Sequence, residues 1–276
     1  MDLELAGKVA LVTGGGRNVG RAVCLRFARE GARVLVNDFY ADRADAVAAE
    51  IRAASGQAIG VQADITQEGQ VRKMVEDGAR ELGPIDILVN NAGIPASSGG
   101  VTVTAKPSEP RRSAWVPFHE SHPDHWRKTI DLNVYGTMFC THAVLPTMIE
   151  RRTGKVVSVM SEAGRVGEAK LAAYSGAKAS ILGFSKAVAR EVGRYAINVN
   201  VVALGAVDSD ATPYAERSEE RRAFLDKILR SYPIGQGLQR LSSPDDIADT
   251  VVFLSSNRAR YITGQCLGLS GGFAMP

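Results

Sequence analysis

Seven short apolar runs, at 8–12, 32–37, 57–61, 86–89, 154–159, 196–202 and 265–268, alternate along the chain with longer segments of helical periodicity at 19–30, 42–54, 67–82, 123–150, 172–194 and 244–255. No other feature limits the fold so much. Runs such as Val9 to Val12 lack the polar alternation of a half-wetted strand, so each needs cover on both faces. The helical segments supply that cover, and each is long enough for the crossover that joins two parallel strands. The pattern predicts an α/β chain with one doubly wound, parallel, seven-stranded sheet and helices on both faces. It recurs from one end of the 276 residues to the other, 45% of them hydrophobic, which reads as a single domain over 1–276.

Two stretches interrupt the rhythm. Residues 94–123 form a long polar loop, and residues 205–232 begin as a loop and then offer a charged helix around Arg217 to Arg230, packed through Phe224, Leu225, Ile228 and Leu229. Both follow the carboxyl ends of strands, where open α/β sheets bind their ligands. The first is expected to be a substrate-loop insertion and the second a substrate lid.

Between the first strand and the first helix lies Thr13-Gly14-Gly15-Gly16-Arg17-Asn18-Val19-Gly20. Glycines there let the backbone approach a pyrophosphate, and the helix amino terminus faces its charge. A glycine-rich turn without a ligand would look the same; the next strand separates the two readings. It ends on Asp38, about 20 residues on, where a carboxylate can accept hydrogen bonds from both adenosine ribose hydroxyls and would repel a 2′-phosphate. The spacing therefore favours NAD over NADP, with Arg17 as a partial counterweight that can pair with phosphate. Asn18 stands where a third glycine is expected, and asparagine tolerates the left-handed backbone.

Tyr174 and Lys178 lie four apart at a helix start, on one face and a turn apart. By itself such a pair is an ordinary amphipathic helix start. Ser161, thirteen residues upstream at the carboxyl side of another strand, changes that reading. Here the chain resembles the short-chain dehydrogenase/reductase family over nearly its whole length, through Thr13 to Gly20, Asn90-Asn91-Ala92-Gly93, Asn133, Ser161, Tyr174 and Lys178 in the family's order and spacing.

The resemblance implies a Rossmann-type fold and reversible hydride transfer between NAD(H) and a secondary alcohol or ketone. It implies Tyr174 as general acid/base, Lys178 lowering the tyrosine pKa and holding the nicotinamide ribose, Ser161 binding the substrate oxygen, and Asn133 keeping a proton-relay water. Those roles suit the residues, since a phenol with pKa near ~10 is a poor base at neutral pH without a cation beside it. Asn91, Ala92 and Gly93 are implied beside the adenosine and ribose, with Asp64 and Ile65 at the adenine; either stretch also reads as a turn. After the sixth strand the family usually carries Pro-Gly, whereas this chain has Leu204-Gly205. Gly205, the backbone of Val207 and the hydroxyl of Ser209 still offer groups to the carboxamide. A homotetramer is expected, built on 123–150 and 172–194, whose Met138, Phe139, Val144, Leu145, Ile149, Ile181, Leu182, Phe184 and Val188 exceed one sheet-facing stripe.

The substrate is less legible. Residues 106–128 carry five basic and three acidic groups, and Lys106, Arg111 and Arg112 suit a carboxylate or a coenzyme A phosphate, or else form a solvated loop or a subunit contact. Glu162 and Arg165, beside Ser161, are further substrate candidates. His142 to Pro146, Glu150-Arg151-Arg152 and the ending Ser270 to Met275 resemble family members that oxidise alicyclic hydroxyacyl-coenzyme A thioesters. The alternatives are an NADP-dependent 3-ketoacyl reductase and a nicotinamide-binding regulatory protein without chemistry; the complete set Asn133, Ser161, Tyr174 and Lys178 argues against the second. His119, His122 and His125 sit three apart, but Pro123 breaks their register, and no metal is expected.

A net charge of +3 is too small to draw the chain onto nucleic acid, and no apolar run approaches the ~18 residues that span a bilayer. Cys24, Cys140 and Cys266 lie far apart, giving neither a disulfide framework nor a Cys metal site. The acidic start Met1 to Leu5 lacks the marks of a signal peptide, so a cytoplasmic protein is expected.

Overall fold

The computed structural model describes residues 2–93, 116–208, 216 and 218–275. Its seven strands are β1 (Val9–Val12), β2 (Arg33–Asp38), β3 (Gln57–Gln62), β4 (Ile87–Asn90), β5 (Gly154–Ser161), β6 (Ile197–Leu204) and β7 (Cys266–Leu269). They form one sheet in the order β3-β2-β1-β4-β5-β6-β7, and every neighbouring pair is parallel. The chain winds outward from β1 to β3, then crosses back to β4 on the other side of β1. That reversal opens a crevice at the carboxyl ends of β1 and β4.

Both faces of the sheet are covered, which explains why the strands read as continuous apolar runs. Alternate residues of β1 go to opposite cores. Ala10 and Val12 pack with Val23 and Phe27 of α1 (Asn18–Arg29), Val47 and Ile51 of α2 (Ala41–Ala53) and Ile247 and Val251 of α10 (Pro244–Leu254). Val9 and Leu11 pack with α3 (Glu68–Leu82), α5 (Gly136–Arg151) and α7 (Ala172–Val192) through Met74, Val144 and Val188. Local signals fix the helix ends. Ser243 and Asp246 form a reciprocal capping box ahead of α10, with Pro244 at its first position.

The structure corrects three expectations. The segment 123–150 is not one regular helix: α4 (Pro123–Ile130) runs into a π-helical turn at Asp131–Tyr135 and then into α5. A single wide turn hardly disturbs apolar periodicity over so long a segment, so the pattern hides it. Strands β5 and β6 each run two residues further than their apolar runs, which makes Ser161 the last residue of β5, paired with Leu204, rather than a residue beyond it. In α8 (Glu219–Leu229), Leu225 and Leu229 are buried, but Phe224 is 52% exposed with the Arg221 guanidinium 5.3 Å from its ring. Only the Leu225–Leu229 face meets Leu241. Two further helices, α6 (Ala163–Val166) and α9 (Pro233–Leu238), are too short for periodicity to announce. Among the described residues no helix is long and apolar enough to cross a membrane.

Candidate active site

The turn from β1 into α1 is built on contacts only glycine permits. Gly14 has φ +61°, and a Cβ on it would stand 2.9 Å from Ala92 Cα; one on Gly20 would overlap the Gly14 carbonyl oxygen and lie 2.7 Å from Asn91 Nδ2. Asn18, where a third glycine was expected, takes the left-handed conformation at φ 47°. The β4 end clamps the turn from the other side. Asn91 Nδ2 donates to the carbonyls of Thr13 (3.0 Å) and Gly14 (3.1 Å), while Thr13 Oγ1 accepts the backbone N–H groups of Asn91 and Ala92, each at 3.1 Å. Arg17 precedes the helix and is exposed, and Val19 packs on the core below.

Asp38 ends β2 and is buried. Its Oδ2 accepts the Gly16 N–H at 3.2 Å and its Oδ1 the Tyr40 N–H at 3.1 Å, so the carboxylate faces the glycine turn. Asp64 accepts from the backbone and hydroxyl of Thr66 at 2.9 and 2.8 Å, the turn reading of that position, and Ile65 is buried against Gly136. A helix amino terminus, a backbone cradle that a Cβ would fill and a carboxylate at the second strand end fit the pyrophosphate and ribose of a dinucleotide. Gly20→Ala is therefore expected to weaken dinucleotide binding by ~10-fold or more, because the added methyl must push the turn away from the α1 amino terminus. Calorimetric titration checks it; unchanged affinity would contradict a close backbone approach.

At the other end of the crevice the fold gathers Asn133, Ser161, Tyr174 and Lys178. Tyr174 and Lys178 sit on the first turns of α7, with Lys178 Nζ 5.9 Å from the Tyr174 ring centroid and donating to the Val159 carbonyl at 3.2 Å. Ser161 Oγ accepts the Ala163 N–H at 3.2 Å, and the hydroxyl is near enough to the Tyr174 phenol to favour its ionised form. Asn133 lies inside the π turn, wholly buried, with Nδ2 donating to the Thr129 carbonyl at 2.9 Å. Its Oδ1 has no hydrogen-bond partner among the described residues. A Cβ on Gly93 would stand 2.8 Å from that oxygen and 3.1 Å from Lys178 Nζ, so glycine there keeps open the space between an amide acceptor and an ammonium donor.

Burial dominates the electrostatics. It pushes the Lys178 ammonium down to about 8. It also holds the Tyr174 phenol above its ordinary value, since the opposing influence of the nearby Ser161 hydroxyl is the smaller effect and the Glu168 carboxylate adds to the rise. The family resemblance implied a tyrosine lowered by lysine; here burial moves the phenol the other way, and Lys178 lies beneath its ring.

Two groups that sequence reasoning missed hold the loop after β6. Tyr232 Oη accepts the Ala206 N–H at 3.0 Å, and Ser242 Oγ donates to the Ala206 carbonyl at 2.9 Å. A Cβ on Gly205 would lie 2.8 Å from the Tyr232 ring, and Val207 bridges to Ser242, so tertiary contacts fix a loop that lacks the usual proline. Nothing in the local pattern marks either residue, because both reach the loop from distant segments. Arg221 on α8 lies 3.4 Å from Asp208 and ties that helix to the same loop.

The remaining candidates divide. Glu162 is 1% exposed, and both its oxygens meet Arg165 Nη1, at 3.1 and 3.3 Å, beneath Gly268 of β7. This pair braces the turn after Ser161 rather than presenting an open guanidinium. His122 Nδ1 accepts the Asp124 N–H and caps α4. Lys106, Arg111, Arg112 and Ser209 lie outside the described residues.

Residues 8–220 match the family described as short chain dehydrogenase. The chain is 35% identical over 271 residues to the 3-oxoacyl-[acyl-carrier-protein] reductase FabG of Staphylococcus epidermidis, covering 97% of this chain and 99% of that protein. It is 36% identical over 275 residues to the 3-oxoacyl-[acyl-carrier-protein] reductase of Synechocystis, covering 98% of each. It is also 36% identical over 270 residues to the (2S)-[(R)-hydroxy(phenyl)methyl]succinyl-CoA dehydrogenase subunit BbsD of Thauera aromatica, again covering 98% of each.

Proposed function

The chain belongs to the short-chain dehydrogenase/reductase family of oxidoreductases, and from that premise we propose that it interconverts a secondary alcohol and its ketone with NAD(H) as the redox partner. The observation that carries the reading is the convergence of Ser161 at the end of β5 with Tyr174 and Lys178 on the first turns of α7, Lys178 Nζ lying 5.9 Å from the Tyr174 ring centroid, in the crevice that also holds the glycine turn. When bound, the nicotinamide supplies the acceptor or donor for hydride transfer.

The protein's own groups handle the proton and the oxygen. In reduction, Tyr174 gives its phenolic proton to the carbonyl oxygen as that oxygen gains charge, and Ser161 donates a hydrogen bond to the same oxygen. In oxidation, the phenolate takes the proton back. Lys178 stabilises that phenolate as a cation close to the ring and would also hold the ribose of a bound nicotinamide. Asn133 Oδ1, facing Lys178 across the space Gly93 leaves open, is suited to hold a water through which the lysine exchanges protons with solvent.

The substrate is an oxoacyl or hydroxyacyl thioester, an alicyclic hydroxyacyl-coenzyme A being one such compound. Support comes from the three relatives, whose names share an acyl group on an acyl carrier protein or coenzyme A. The described part of 205–232, tied to the loop after β6 by Tyr232 and Arg221, borders its cleft within a single domain, and Arg111 and Arg112 are its proposed partners for anionic groups. The protein works as a homotetramer. Ile130 and Tyr135, 41% and 49% exposed along the 123–150 face, support a contact there.

Cofactor choice separates this reading from an NADP-dependent 3-ketoacyl reductase; two of the relatives' names carry the 3-oxoacyl reductase activity. With Asp38 buried at the ribose position, kcat/KM is expected to be ~10-fold or more higher with NAD than with NADP, and Asp38→Ala to narrow the gap. Steady-state rates with both cofactors test it, and a preference for NADP would overturn it.

A further inference from the structure

A second charge stands at the carboxylate of Asp38. Helix α2 begins just after β2, and its first turn brings Arg43 back over the glycine turn. A Cβ on Gly16 would lie 2.6 Å from Arg43 Cβ and 2.8 Å from Asp38 Oδ2. The Arg43 stem, the Asp38 carboxylate and the Gly16 backbone thus close on one point, and a group laid against Gly16 meets both side chains. Asp38 is fixed there by the N–H groups of Gly16 and Tyr40.

The Arg43 guanidinium is held differently. It rests on the Tyr40 ring, 4.2 Å from the centroid, and forms no ion pair among the described residues. A partly exposed cation on an aromatic face is weakly bound, and a guanidinium offers a phosphate two parallel donors. Arg17, which the sequence marked for this task, is exposed ahead of α1, and the atoms nearest the Gly16 point belong to Arg43 and Asp38 instead.

Resting on the reading of this turn as the dinucleotide seat, we propose that Arg43 is a second specificity-determining residue for the cofactor. Asp38 repels a 2′-phosphate and Arg43 pairs with it. Cofactor choice is then a balance of two opposed charges, and the protein binds the phosphorylated dinucleotide more weakly than NAD but measurably, instead of excluding it.

Calorimetric titration of the full chain with NAD+ and NADP+, for wild type, Arg43→Leu and Arg43→Lys, tests this by binding alone. Arg43→Leu is expected to raise the Kd for NADP+ by ~10-fold while that for NAD+ moves by less than about twofold, and Arg43→Lys to recover part of the loss. Added salt should weaken NADP+ more than NAD+ in the wild type, and that difference should shrink in Arg43→Leu. An NADP+ affinity that ignores Arg43, equal losses for both cofactors, or no detectable NADP+ binding by the wild type would overturn the role of Arg43 while NAD+ still binds. A wild type that binds neither dinucleotide would overturn the proposed function with it.

Discussion

Tyr174→Phe is expected to lower turnover by ~10²-fold or more while leaving the dinucleotide Kd within about twofold of wild type. The glycine turn and Asp38 are held by their own contacts, Asn91 on the Thr13 and Gly14 carbonyls and the Gly16 and Tyr40 N–H groups on Asp38, and do not depend on the phenol oxygen. Removing one oxygen takes away the proton donor and leaves the ring to pack. The pH dependence follows from the direction of the shift. Because burial holds the phenol above its ordinary value, alcohol oxidation, which needs the phenolate, should gain rate as pH rises toward that raised pKa, and carbonyl reduction should lose it. The residual activity of Tyr174→Phe should lack this response. Near-normal turnover would remove Tyr174 from the chemistry.

Lys178→Met is expected to act in opposite directions on activity and stability. Turnover should fall by ~10²-fold or more, because the phenolate loses its stabilising cation. The fold should gain about 1–3 kcal/mol at neutral pH, because a buried ammonium is replaced by an apolar chain of similar length. Burial lowers the lysine pKa from 10.5 to about 8, so between those values the unfolded chain binds a proton that the folded one does not. The penalty of about 3 kcal/mol is complete below about pH 8 and is relieved as pH rises to 10.5. Denaturant titrations should therefore show the two proteins converging in stability across that interval. A variant less stable than wild type at neutral pH would mean that the Val159 carbonyl bond outweighs desolvation.

The sheet was legible because strands covered on both faces must be apolar throughout, as Val9 to Val12 are, with α1 and α10 on one side and α3 and α5 on the other. The candidate catalytic groups were legible because Ser161, Tyr174 and Lys178 each stand at a boundary the pattern marks, a strand end or the first turns of a helix. What escaped depends on contacts between distant segments. The π turn around Asn133 is one wide turn inside a long apolar pattern. The hold of Tyr232 on Ala206, the buried Glu162–Arg165 pair and the approach of Arg43 to Gly16 join elements whose proximity only the folded sheet creates. Phe224 misled for a related reason, since an aromatic residue next to Leu225 reads as core until the partner face is known.

Whether Tyr174, Ser161, Lys178 and Asn133 form a working redox site is tested most directly by nicotinamide absorbance with a panel of hydroxyacyl and oxoacyl thioesters, run in both directions beside calorimetric binding of NAD+. The proposed chemistry predicts that at least one thioester gives reduced nicotinamide in equal amount to the ketone formed, and that Tyr174→Phe suppresses it. Tight NAD+ binding with no turnover of any substrate in either direction would contradict it and leave a nicotinamide-binding protein without chemistry.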